Sequence, residues 1–127
     1  MTASEQDPQS LLPLSTAVFH ILLSLTDRER HGYDIMQEIL YRTNGQVNLG
    51  PGTLYGAIKR LRNAKVIEEI DERVDPNLND ERRRYYRLTD FGQRVVSAEA
   101  ERLAHLVEQA RAKQLLSDIK PLSGGID

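Results

Sequence analysis

Thr53, Tyr55, Lys59, Arg60 and Asn63 bring hydroxyl, ammonium, guanidinium and amide groups together in one short stretch. On one side of a helix, such groups bond phosphate oxygens and the edges of bases. If Leu54 is taken as the inward direction at 3.6 residues per turn, Gly56, Lys59, Arg60 and Asn63 point outward, with Thr53 and Tyr55 on the flanks. From Thr53 to Lys65 there are four cations (Lys59, Arg60, Arg62 and Lys65) and no acidic residue. A helix with an apolar back, a cationic front and Gly56 at its outward centre suits insertion into a DNA groove. Taken alone, it reads equally well as a basic, solvated surface helix. Further along, Arg82, Arg83, Arg84 and Tyr85 form a second cationic group that carries an aromatic residue.

Other chemistries find little support. There is no cysteine, so thiolate metal sites, disulfides and cysteine nucleophiles are excluded. His20, His31 and His105 lie far apart, and no glycine-rich phosphate loop of P-loop or dinucleotide type is present. Glu101 and His105 share a helical face but lack further ligands, so a solvent-exposed hydrogen bond is preferred to a metal site. His20 falls inside an apolar run and reads as a packed or hydrogen-bonded core histidine rather than a ligand. The expectation is therefore no enzyme, no metal and no cofactor. The net charge of −2 argues against indiscriminate coating of nucleic acid, yet the charges are segregated. Cations gather at residues 59–65 and 82–87, and acids at 68–72 and along the last helix. Local charge is what meets phosphate.

The elements that must position these groups follow from periodicity. Residues 1–10 are polar and read as a frayed arm. Ser15 to Leu25 reads as a helix, with Ala17, Val18, Ile21, Leu22 and Leu25 on the core side; Phe19 and Leu23 make it apolar on a second side. Such a helix is either central to the core or shared with a partner chain. A charged connector, residues 26–32, leads to a helix from Tyr33 to Arg42, which Asn44-Gly45 ends. The basic helix is third, and three short helices with compact links form a helix-turn-helix. Next, Val66 to Val74 and Arg82 to Leu88 read as two strands around a turn-rich loop, giving the winged variant. Thr89 or Asp90 can cap a last helix running to about Leu116, roughly 40 Å long. Val96, Ala100, Leu103, Val107 and Ala110 are spaced 4, 3, 4, 3 on it, the seam of a two-helix contact. A second copy of the chain is the simplest partner, and the alternative is folding back on the first helix. The expected class is mainly α with a small β-hairpin. The wing domain spans residues 11–88, the dimerisation helix 89–116, and a disordered tail 117–127.

The ordered series His31-Gly-Tyr-Asp-Ile35, Gly50-Pro-Gly-Thr-Leu-Tyr-Gly-Ala-Ile-Lys-Arg-Leu61, Ile67-Glu-Glu69 and Arg83-Arg-Tyr-Tyr-Arg-Leu-Thr-Asp-Phe-Gly92 resembles the PadR family of bacterial transcriptional regulators. The resemblance covers about residues 11–115, and the single last helix is similar to the family's shorter branch. It implies a cytoplasmic homodimeric repressor that binds a double-stranded operator, with no membrane partner and with an effector left open. By motif, Thr53, Tyr55, Lys59 and Arg60 would face DNA, and Arg83 and Tyr85 would sit on the wing. Relatives can hold aromatic ligands between tryptophans at the dimer interface; this chain has no Trp. Two departures stand out. Where the family has Gly after the third helix, this chain has Lys65, which either adopts a left-handed conformation or is avoided by a different cap. The wing tip carries Asp71, Glu72, Asp75, Asp80 and Glu81, so its basic base at residues 82–84 is the expected backbone contact. The alternative function is a winged-helix module that binds protein.

With about four phosphates neutralised per half-site, affinity for operator DNA should fall with a log–log salt slope near −7, measured by titration across salt concentrations. Binding that hardly changes between low and moderate salt would contradict the DNA reading.

Overall fold

Ser15 sets the first helix in place: its Oγ accepts the Val18 N–H at 3.1 Å and fills one of the free donors of α1, Thr16–Ser24. The computed structural model describes residues 6–74 and 82–117, with backbone only for 71–74 and 82. After α1 come β1 (Arg30–His31), α2 (Gly32–Arg42), α3 (Pro51–Asn63), β2 (Ile67–Val74), β3 (Arg82–Leu88) and α4 (Asp90–Ala112). The architecture is the expected winged helix-turn-helix with a long last helix. The core gathers Ile21 and Leu22 of α1, Ile35 and Ile39 of α2, Leu54, Ala57, Ile58 and Leu61 of α3, and Val95 and Val96 of α4. α1 is central, packing against both α2 and α4.

Three local readings are corrected. First, residues 8–10, expected in a frayed arm, belong to a 3₁₀ turn, Pro8–Leu11, which Asp7 caps by accepting the Gln9 N–H. The turn packs on α4, and Leu11 and Leu12 reach the core. Second, the connector at residues 26–32 ends in a strand. β1 pairs antiparallel with β3, Arg30 opposite Tyr86 and His31 opposite Tyr85, so the sheet has three strands in the order β1-β3-β2. Charge hid this strand. Arg30 is buried because its guanidinium bonds the Ser24 carbonyl (2.6 Å), Asp34 (3.0 Å) and Asp27 (3.2 Å). Third, α4 stops at Ala112, short of the expected Leu116, where Gln114 turns left-handed at φ 63°. The imperfect alternation of β2 has its cause in a register shift between Glu69 and Glu72.

Lys65 takes the left-handed option, with φ 65°. The Val66 N–H returns to the Leu61 carbonyl (2.9 Å) and the Lys65 N–H to that of Arg62 (3.0 Å), a Schellman ending without glycine. Asn44 ends α2 in the same way, with the Gly45 N–H on the Leu40 carbonyl at 2.8 Å. Thr89 then ties α4 to the Lys65 turn. Its Oγ1 accepts the Gly92 N–H (2.9 Å) and donates to the Lys65 carbonyl (2.6 Å), while its own N–H bonds the Val66 carbonyl (3.1 Å). A Cβ at Gly92 would overlap the Val66 carbonyl oxygen.

Two polar links complete the frame. His20 is a half-buried, hydrogen-bonded histidine: Arg42 donates to its Nδ1 (3.0 Å) and to its carbonyl (3.1 Å), and Glu38 holds Arg42 (2.8 Å). Burial, and then Arg42, hold its pKa below the ordinary histidine value. Its contribution to stability is therefore full above that value and declines as pH falls through it. Glu99 is 1% exposed on α4 and accepts from Arg102 (2.6 and 2.9 Å) and from the Leu14 N–H (3.1 Å). The Arg102 bonds lower its pKa against the opposing effect of burial, and the Leu14 bond lowers it further. That stabilisation is present above the ordinary glutamate range and is lost as pH falls through the depressed value.

Lys65→Gly should raise stability by about 0.5–1 kcal/mol, because glycine adopts the left-handed turn without strain. Gly92→Ala should lower it by about 3 kcal/mol, since the clash is with backbone. Urea denaturation of both variants measures the two effects.

Candidate nucleic-acid interface

Pro51 opens α3 behind Gly50, which supplies no side-chain cap, and the first helical bond runs from the Leu54 N–H to the Gly50 carbonyl (3.0 Å). The amides of Gly52 and Thr53 thus lead the helix without an intrahelical partner, a local arrangement that attracts anions. Leu54, Ala57, Ile58 and Leu61 are buried, which fixes the rotation of the helix. Thr53, Tyr55, Lys59, Arg60 and Asn63 are exposed as a consequence, and Gly56 is half-buried among them. Lys59 and Arg60 form no ion pair among the described residues. A Cβ on Gly56 would meet only the Arg60 guanidinium, at an ordinary 3.6 Å, so packing within the chain does not require glycine there.

Tyr55 leans on the start of α2, where a Cβ on Gly32 would collide with its hydroxyl. Towards the sheet lies an open hollow of about 460 Å³ lined by Tyr55, Ile58, Lys59, Arg62, Asn63 and Tyr86. Tyr86 is buried, and burial, followed by Glu69 and Tyr55, pushes its phenol pKa up. The hydroxyl stays protonated and able to donate.

The two faces of β3 divide the expected wing residues. Arg84 is exposed on the Tyr86 side and lies 3.6 Å from Glu69, which also pairs with Arg62 of α3 at 3.0 Å. Arg83 and Tyr85 lie on the reverse face. Both are half-buried, and Tyr85 meets the His31 ring edge-on at 5.2 Å. His31 in turn caps α2 by accepting the Asp34 N–H (3.1 Å). The side chains of residues 71–74 and of Arg82, and residues 75–81 altogether, lie outside what the structure describes, so most of the acidic tip does too. The sequence reading missed Glu69. It sits in a run of acids, and only the register opposite Tyr86 marks it as different.

The expected seam on α4 divides as well. Val96 is buried in the chain's own core beside Val95. Beyond it, Ala100 is exposed, Leu103 and Ala110 are half-buried, and Val107 is 44% exposed next to Leu106 at 47%. Glu101 and His105 are exposed, and no group of three or more metal-liganding side chains occurs among the described residues. No described helix is long and apolar enough to cross a membrane.

Comparison with known proteins matches this arrangement. The model of the transcriptional regulator PadR-like family covers residues 21–98. An uncharacterised protein of Lysinibacillus sphaericus is 36% identical over 77 residues, which span 61% of this chain and 68% of that one. A transcriptional regulator from Clostridium thermocellum superposes with a TM-score of 0.63 at 26% identity, covering 76% of this chain and 89% of that one. A PadR family transcription regulator from Clostridium difficile gives 0.65 at 21% identity, over 79% and 99%. With α3 presenting a cationic face, a three-stranded wing beside it and α4 leading away, the chain belongs to the PadR-like family of transcriptional regulators.

Proposed function

We propose that this regulator is a cytoplasmic repressor that binds a pseudo-palindromic DNA operator as a homodimer. The carrying observation is α3: its back is sealed in the core, while Lys59 and Arg60 stand exposed without an acidic partner among the described residues. Two such helices fit successive major grooves about 34 Å apart. Arg60 and Lys59 reach base edges or phosphates, with arginine the better reader of guanine, and Asn63 can pair with adenine. Thr53 and the leading amides of α3 take a phosphate. Gly56 lets the groove approach the helix backbone. Arg82, Arg83, Arg84 and Tyr85 are the candidate wing contacts, and of these Arg84, exposed on the Tyr86 side, is the one whose described position suits the DNA backbone.

The second copy is supported by α4. Leu106 and Val107 remain about half exposed, in line with Ala100, Leu103 and Ala110, and pairing the two stripes would remove them from water. The alternative, a winged-helix module that binds protein, is separated by charge reversal. Lys59→Glu with Arg60→Glu should abolish retention of operator fragments recovered from cells, while the dimer measured by sedimentation persists. Retention that survives the reversal would favour the protein-binding module.

Gly56→Ala separates fold from function. It should stabilise the chain by up to about 1 kcal/mol, since alanine is the better helix former. The same variant should weaken operator binding in a mobility-shift titration, because its methyl group occupies the space a groove needs.

A further inference from the structure

We infer that Glu69 is an affinity-setting residue that holds Arg62 away from the DNA backbone and so weakens sequence-independent binding; this rests on the DNA-binding reading. Glu69 lies on β2 opposite Tyr86 of β3. Its Oε1 is 3.0 Å from Arg62 Nη1 and 3.6 Å from Arg84 Nη1. Its side chain is 20% exposed, against 46% for Arg62 and 59% for Arg84. Helix and wing thus each direct a guanidinium at one shielded oxygen. Although these are ion pairs by distance, Oε1 receives no aligned hydrogen bond. The attraction is coulombic and poorly directed, unlike the bidentate fork that would fix an arginine firmly.

Arg62 also lines the hollow between α3 and the sheet, beside Lys59 and Asn63. A duplex backbone seated between the recognition helix and the wing passes over that hollow. There Arg62 would be one more phosphate contact were Glu69 not neutralising it. Phosphate contacts carry no sequence information and dominate non-specific affinity. Masking one lowers binding to every sequence alike and reduces the salt dependence, while discrimination stays with Lys59 and Arg60, which have no acidic partner among the described residues.

The test is a double-mutant cycle on the full chain with Glu69→Gln and Arg62→Gln, using a mixed-sequence duplex of about 30 base pairs titrated over a range of salt. E69Q should bind this duplex at least roughly threefold more tightly, with a salt slope about one unit steeper. R62Q alone should change the slope by less than about 0.3, whereas R62Q added to E69Q should remove the gain. Weaker binding by E69Q, or an unchanged slope, overturns the inference and leaves Glu69 a structural link between wing and helix. A gain that persists in the double variant overturns it as well, because release of Arg84, the second arginine at Glu69, or a general field effect then suffices. Should E69Q lose its fold by circular dichroism, R62Q alone decides: a slope reduced by about 0.9 means Arg62 already contacts phosphate and the inference fails. Wild-type protein that retains no duplex would sink the DNA-binding reading together with this one, whereas wild-type binding with any of the other adverse results sinks this one alone.

Discussion

The hydroxyl of Thr89 is where the molecule is joined. It caps α4 through the Gly92 N–H and bonds the Lys65 carbonyl in the turn that ends α3, while its backbone N–H holds Val66. Four elements therefore meet within a few ångströms: the end of α3, the start of β2, the end of β3 and the start of α4. Gly92 permits that closeness, since any side chain there would enter the Val66 carbonyl. α4 is thereby fastened to the turn that ends α3. The strain of a left-handed Lys65 is held by the same bonds, which explains how a lysine survives where glycine would be easier.

Around that joint the chemistry divides by face. The core side of each helix is apolar and determines its rotation. Exposed charge on α3 then follows from burial of Leu54, Ala57, Ile58 and Leu61, not from any direct force on Lys59 and Arg60. A net charge of −2 coexists with this cationic front because no acid among the described residues pairs with Lys59 or Arg60 on the outward side of α3. Where they do meet, on the wing side of α3, Glu69 receives two arginines, and local charge there depends on that one carboxylate.

The last helix shows how one stripe can serve two environments. Val95 and Val96 fill the chain's own core, and buried Glu99, with Arg102 and the Leu14 amide satisfying it, marks the end of that contact. Past Glu99 the described residues leave Leu106 and Val107 about half exposed. Apolar area left in water at regular helical spacing gives α4 a reason to associate.

The sequence by itself determined the helices, the winged class and the outward face of α3, because all three follow from short-range periodicity and punctuation. Leu54, Ala57, Ile58 and Leu61 recur at helical spacing whatever surrounds them. Tertiary structure alone decided the features that depend on residues far apart in the chain. β1 exists because the backbone of Arg30 and His31 finds Tyr86 and Tyr85 of β3 more than fifty residues on. Tyr85 acquires His31 as a neighbour through strand register, and Glu99 is buried through an amide 85 residues away. Glu69 differs from the neighbouring Glu68 only in the side of the sheet it faces. Strand register sets that, and no local pattern of charge records it.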